Sequence, residues 1–384
     1  MKTQRLLSLV LAASMLTACT KTDEPSAAQG ESGASSTNES TAASSPANAV
    51  GNSSANAAED SASNGTASEP PTSDTQSSAA PEKSAAPPIT GDGVISGAEL
   101  ILNSGRSIML SSTSAENGAN YAKTVNRYKE KFLNVSMYSL IVPTAISYYL
   151  PEKFKEYDSG EKGHIDAINA HLNGITPVDV YSVLAKHTDE PIFFNTDHHW
   201  TQLGAFYGAE EFAKTAGVDF KPLSEFEKKD GGDFVGSAYG NSGDDPKILE
   251  LTEQFTYYVP KSDFSTTFYD LDGTNETPFF YFAPPNELDK FGKYSLYMYG
   301  DGHIVHLNTS CKNGRRLLIL KEAFANPFCC NLVNSFEDIW IADMKYMKTT
   351  ATKLINDNNI TDLLFCLSTY STSGVNQEFL AEVM

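Results

Sequence analysis

No phenylalanine, tyrosine or tryptophan occurs before Tyr121 in this chain of 384 residues, although its 21 Phe, 18 Tyr and 2 Trp all follow. A segment so poor in large apolar side chains cannot bury enough surface to offset the entropy of ordering its backbone. The early part is thereby excluded from a core, and the length reads as one folded domain beginning between Gly91 and Tyr121 rather than as two or three. Basic residues are also scarce, 28 against 48 acids, for a net charge of −20. Residues 20–92 carry ten of those acids and two lysines and the leader two basic residues, so −14 falls on the remainder. Such a surface lacks the cations that neutralise phosphates, which excludes nucleic acid and disfavours anionic polymers; neutral ligands fit better. Cysteine is rare: Cys19, Cys311, Cys329, Cys330 and Cys366, without the paired spacing of a zinc site. Cys329 and Cys330 lie in apolar context and read as core thiols, with a disulfide to Cys311 or Cys366 left open.

What is present at the N-terminus is a targeting pattern. Lys2 and Arg5 precede an apolar run, Leu6–Leu16, too short to span a bilayer, and small residues follow, as in an export signal. Leu16-Thr17-Ala18-Cys19 resembles the lipobox of bacterial lipoproteins, which implies lipidation of Cys19 and a membrane anchor on the extracytoplasmic face. Residues 20–90 are rich in Ser, Ala, Thr, Asn, Gly and Pro and read as a flexible tether reaching about 40–50 Å. The expected organisation is a signal at 1–18, a lipidated Cys19 with its linker to 92, and a domain over 93–384.

Within the domain, strand and helix signals alternate. Asn134–Thr144 reads as a buried strand after a helix at 121–132, and helices are expected at 163–172 and 177–186. A short strand at 191–195 precedes a helix at 202–216 that ends on Gly217. Toward the C-terminus come a strand at 316–321, a helix at 327–334, a strand at 338–343, a helix at 348–358 and a strand at 361–368. This order predicts an α/β fold with a mostly parallel sheet covered on both faces. Residues 250–307 read as a β-rich insertion. Ligands collect at the carboxyl ends of such strands, so the loops 195–201, 322–326 and 369 onward are of interest.

The densest chemistry is Asn195-Thr-Asp-His-His-Trp-Thr-Gln-Leu-Gly204. If extended, it places Asp197 and His199 on one side and His198 and Trp200 on the other. The carboxylate would then fix the tautomer of His199 and leave its other nitrogen as a base. Thr201 is placed to cap the following helix, with Trp200 packing on its first turn. Three readings compete: a capped turn whose polar groups satisfy backbone; a metal site from Asp197, His198, His199 and His303 or His306, disfavoured because adjacent histidines in an extended segment point apart; and a catalytic acid–base pair, which needs a nucleophile. No cofactor is expected.

The segment NTDHHWTQLGAFYGAEEF, with YAKTVNRY, LIVPT, VDVYSVLAKH, DFVGSAYGNSGD and LLILKEAF in order, resembles the DHHW family of bacterial exported proteins, which is similar to SGNH hydrolase-like proteins and the alginate O-acetyltransferase group. The resemblance implies a three-layer α/β/α sandwich and O-acyl cleavage or transfer on carbohydrate, with Asp197 and His199 as acid and base of a triad. Where the family has Lys-Asp-Ser-aromatic, this chain reads Lys321-Glu322-Ala323-Phe324, so the nucleophile's position holds no hydroxyl. Where a Gly-Asn-His run is expected to supply an oxyanion donor, Gly300-Asp301-Gly302-His303 stands, and an ionised Asp301 there would repel a developing oxyanion. Ligand contact is expected from Tyr239, Asp301 and His303. Thr144, Ser368 and Ser371 are conceivable substitute hydroxyls but read more simply as turn residues. The expectation is therefore a tethered glycan-binding or accessory protein with a relic dyad, the alternatives being an active O-acetyl esterase or acetyltransferase and a structural surface protein.

Overall fold

The computed structural model describes residues 91–384. The export signal, Cys19 and the linker up to residue 90 lie outside the described residues. The first described elements are a small antiparallel meander, β1 (Gly93–Ser96), β2 (Glu99–Leu102) and β3 (Arg106–Met109), which the sequence reading did not anticipate.

The main sheet has eight strands: β4 (Ser136–Val142), β5 (Thr176–Val178), β8 (Phe264–Tyr269), β9 (Thr277–Phe279), β10 (Ile304–Thr309), β11 (Arg316–Lys321), β12 (Asp338–Asp343) and β13 (Asp362–Ser368). A separate two-stranded ribbon joins β6 (Phe226–Phe234) to β7 (Glu253–Pro260). The order in the main sheet is β5-β4-β13-β11-β12-β10-β8-β9, parallel from β5 to β12 and antiparallel from there to β9. The expected β-rich insertion is thus not a separate body: three of its strands extend the sheet to its far edge.

The continuous apolar runs of the central strands follow from burial on both faces. In β11, Leu317 and Ile319 pack into one core cluster, and Leu318 and Leu320 into a second on the opposite face. The helix Gln202–Ala216 contributes Ala205, Ala209 and Phe212 to the first cluster, and the helix Ala115–Lys131 contributes Tyr121 and Val125 to the second. This is the three-layer α/β/α arrangement expected from the alternating pattern.

Local chemistry explains where several elements begin and end. Thr201 caps the helix Gln202–Ala216 by accepting from Gly204 N (3.3 Å), and Gly217 closes it in the left-handed conformation at φ 66°. Other boundaries differ from expectation. The helix expected at 177–186 is split, its first residues forming edge strand β5 and Val180–Leu184 a short helix behind an Asp179 cap. The helix expected at 327–334 shrinks to a 3₁₀ turn, Cys329–Leu332. Residues 191–195 form no sheet strand; Phe193 makes a single antiparallel bridge to Trp200, because the chain turns back on itself within the motif. All four domain cysteines are free thiols, with Cys329, Cys330 and Cys366 buried.

Candidate functional site

The motif is a tight loop held from three sides. Glu253 of β7 accepts from the backbone N–H of Asn195 (2.8 Å) and Thr196 (2.7 Å) and from the Thr196 hydroxyl (2.7 Å). Thr196 in turn accepts Gly236 N–H at its hydroxyl (3.1 Å) and Ala238 N–H at its carbonyl (3.0 Å). Ser237 N–H donates to Asp197 Oδ2 (2.8 Å), so the Gly236–Ala238 segment is laid directly against the acid. Only glycine permits this approach: a Cβ at Gly236 would lie 2.3 Å from Asp197 Cβ.

Asp197 and His199 are paired as their types suggest. His199 Nδ1–H donates to Asp197 Oδ1 (2.6 Å), and the His199 backbone N–H donates to the same oxygen (2.9 Å). Both residues are buried. Burial alone would raise the Asp197 pKa, but the imidazoles of His199 and His198 and the hydrogen bonds from His199 and Ser237 hold it well below the ordinary carboxylate value. An ionised Asp197 fixes the tautomer that leaves His199 Nε2 as the base nitrogen. That nitrogen is buried and has no hydrogen-bond partner among the described residues.

The extended geometry expected for the loop is corrected by the structure. His198 does not point away from His199; the two rings face each other at 3.9 Å, because the chain turns within the motif. His198 Nδ1 bonds Ser237 Oγ (2.6 Å), so Ser237 serves both sides of the site. Trp200 does leave for the core, stacked on Phe328 with Nε1–H donating to Phe324 O (2.6 Å). The argument against a shared ion also changes. Asp197, His198 and His199 can present ligand atoms within 4.8 Å of one another. His199 Nδ1 is engaged by Asp197 and His198 Nδ1 by Ser237, so an ion would have to take the histidines through Nε2 or displace those bonds, and the contacts as they stand are those of a hydrogen-bonded dyad. His303 stacks on Phe268 (4.8 Å) and His306 bonds Asp338 (2.8 Å); neither joins this cluster.

Two residues that sequence reasoning missed cover the dyad. The Tyr294 ring lies flat on His199 at 4.0 Å, and its hydroxyl donates to Ala323 O (2.9 Å). The Phe324 ring packs 4.6 Å from His199. The turn after β11, which carries Ala323 at the sequence position where the resemblance expects the nucleophile, is therefore brought near the base through Phe324 and Tyr294. Nothing local in the sequence marks Tyr294, whose contact with His199 spans 95 positions; Gly236 and Ser237 lie within the DFVGSAYGNSGD segment.

Asp301 is not the free anion expected. Lys321 Nζ donates to Asp301 Oδ1 (2.5 Å) and Asp343 Oδ2 (3.2 Å), and Asn326 Nδ2 also donates to Asp301 (2.9 Å). Tyr239 packs against the small cluster of Ile101, Val235, Ala238 and Ile248, its ring 5.6 Å from Phe291. The three substitute hydroxyls do structural work instead: Thr144 donates to buried Glu161 (2.9 Å), Ser368 caps Ser371 N–H (3.2 Å), and Ser371 accepts from Asn376 (3.3 Å).

The pH response of the site follows from His198. Its burial, and next the charge of His199, push its pKa down to about 3 from 6.5. The unfolded chain then binds the extra proton first, so the contribution of His198 is fully present above pH 6.5 and lost as pH falls toward 3, with a slope of at most about 1.4 kcal/mol per pH unit. Glu99, raised to about 7 by burial, acts oppositely between pH 4.5 and 7. Urea midpoints of the wild type and His198→Gln at pH 4 to 7 should therefore diverge in slope, the variant losing less stability on acidification; parallel curves would contradict the assignment.

A protein-family model described as DHHW protein matches residues 68–342. Among solved structures, a DHHW family protein from Eubacterium siraeum is similar at 35% identity over 77% of this chain and 99% of its own, with a TM-score of 0.73. Bacillus cereus PatB1 with a sulfonyl adduct is similar at 21% identity over 72% of this chain and 98% of its own, with a TM-score of 0.59, which speaks to the fold. No curated protein matches. With the motif, the α/β/α scaffold and this coverage in agreement, the chain belongs to the DHHW protein family.

Proposed function

We propose that this chain is a membrane-tethered, extracytoplasmic lipoprotein anchored at Cys19, whose degenerate SGNH hydrolase-like domain binds neutral or O-acylated cell-envelope carbohydrate without forming an acyl-enzyme. The observation that carries this reading is the intact Asp197–His199 dyad beside a turn whose residue 323 is alanine. Covalent acyl transfer requires an activated oxygen within reach of the base, and a methyl group supplies none. Carbohydrate is supported by the family's likeness to enzymes of O-acyl transfer on sugars, by the acidic charge, and by aromatics exposed at the β9 edge. Phe280 is 75% and Phe279 41% exposed, with Tyr299 edge-on to Phe279 at 4.8 Å. Such rings offer apolar faces to sugar C–H groups.

The test pairs turnover with binding. The wild type should bind envelope glycan, lose that binding in Phe280→Ala, and give no turnover of a small chromogenic acetyl ester. Ala323→Ser should bring hydrolysis roughly 10²-fold or more above background, abolished again by His199→Ala in the same chain. An active O-acetyl esterase is the second reading, and the unpartnered His199 Nε2 favours it, since that nitrogen could activate water directly. Wild-type hydrolysis that disappears in His199→Ala would establish it over our proposal. Neither binding nor turnover would leave a structural surface protein.

A further inference from the structure

A cavity of about 120 Å³ lies beside the motif loop, lined by Asn195, Thr201 and Glu253 among others but by none of Asp197, His198 and His199. Its walls are apolar at Phe193 and Leu203 and charged at Arg106 and Glu253, and it opens past the exposed Lys228. A space of this size accommodates a ligand portion of roughly benzene dimensions, to judge from apolar cavities of about 150 Å³ that bind benzene.

The two charged groups share the cavity without meeting: no ion pair joins Arg106 to Glu253 among the described residues. Each is partly committed. Arg106 stacks its guanidinium on Tyr149 (4.1 Å to the ring centre) and donates one hydrogen bond, from Nη1 to Phe194 O (3.0 Å). A guanidinium has five N–H donors, so four remain without a partner among the described residues. Glu253 gives Oε1 to three donors of the motif loop, while among the described residues Oε2 accepts only Asn195 N–H, at 3.0 Å. Separated donors and a spare acceptor around an apolar floor are half of a recognition pattern whose other half is absent from the chain itself.

We propose that this cavity is a carbohydrate subsite in which one edge of a sugar ring presents vicinal hydroxyls to Arg106 and Glu253, with Thr256 lining the wall beside them. A hydroxyl both donates and accepts, so adjacent hydroxyls can accept from the guanidinium and donate to Glu253 Oε2 together. A zwitterionic amino acid is the competing ligand. It would require a full ion pair at each end, and the Glu253 oxygen committed to the loop and the Arg106 face committed to Tyr149 leave room for hydroxyl hydrogen bonds instead. The sugar assignment of the ligand rests on the carbohydrate reading above, but the site is separate from both the dyad and the β9 aromatics.

Saturation-transfer NMR on the full chain with methyl α-D-glucopyranoside at millimolar concentration tests it. Transfer to the ring protons is expected in the wild type, with at least a tenfold weaker Kd in Thr256→Phe, which fills the cavity while leaving both charged groups in place. Arg106→Gln should weaken binding similarly, and urea midpoints report whether each variant is folded. Absence of transfer, transfer unchanged in folded Thr256→Phe, or displacement of the sugar by equimolar L-alanine would overturn the assignment. If envelope glycan binds through Phe280 while the monosaccharide gives no transfer, the subsite falls and the carbohydrate function stands. Monosaccharide transfer that Thr256→Phe abolishes, with no glycan bound through Phe280, upholds the subsite and removes the β9 surface from the function.

Discussion

Lys321→Ala is expected to cost about 3–5 kcal/mol, the largest loss of any single substitution considered. The Lys321 ammonium is 2% exposed and lies between Asp301 and Asp343, at the carboxyl ends of β11 and β12. Burial would lower its pKa, but Asp301 and then Asp343 outweigh that and hold it charged. Removing it strands two carboxylates in a low-dielectric interior, where their mutual repulsion is strong. Burial already lifts Asp343 to about 6 despite Lys321. In the variant both acids would titrate above their unfolded value, so the folded state would hold protons that the unfolded chain has released. Stability is then lost as pH rises above about 4, and the deficit should be smallest near pH 4 and largest at pH 8. A melting temperature lower by about 10 °C at pH 8 corresponds to this loss in a domain of this order of size. Lys321→Met combined with Asp301→Asn and Asp343→Asn should recover most of it, since neutral groups of similar shape remove the stranded charge; equal damage in the triple variant would show that packing, not charge, is at stake.

Gly236→Ala should cost about 3 kcal/mol by overpacking and act directly on the dyad. The added methyl would sit 2.3 Å from Asp197 Cβ and 2.5 Å from Oδ2, against a side chain fixed by His199 and Ser237. Asp197 must shift, and the Asp197–His199 and His198–Ser237 bonds are strained with it. The readout is double: a fall in urea midpoint, and loss of the downfield Nδ1 proton of His199 in NMR. Gly240→Ala, four residues on in the short helix Ala238–Asn241, is the control, because nothing lies within 4 Å of its Cβ position. It should be neutral or stabilising by up to about 1 kcal/mol. Equal effects at the two sites would refute the crowding argument.

The motif shows how much of a site a sequence can carry. The Asp197–His199 pair, the Thr201 cap and the helix to Ala216 involve neighbours within a few positions, so residue type and spacing suffice. The relation between the two histidines failed because alternation presumes an extended chain, and the loop is instead bent by Glu253, more than fifty positions away. Tyr294 was invisible for the same reason. Its hydrogen bond to Ala323 and its stacking on His199 join three distant segments, each of which reads by itself as ordinary core or loop.

By itself, the sequence determined the α/β alternation behind the parallel strands β11, β12 and β13, the helix Gln202–Ala216 with its Thr201 cap, and the carboxylate–imidazole pair. The tertiary structure alone decided that β8, β9 and β10 extend the same sheet in antiparallel sense, that Lys321 neutralises Asp301, that His198 faces His199, and that Arg106 and Glu253 share a cavity without touching. The division has a physical cause. Helix and strand periods, caps and side-chain pairs two residues apart are short-range and written in the local order, whereas strand partners and buried charge neighbours are selected by packing among segments that chain order does not place together.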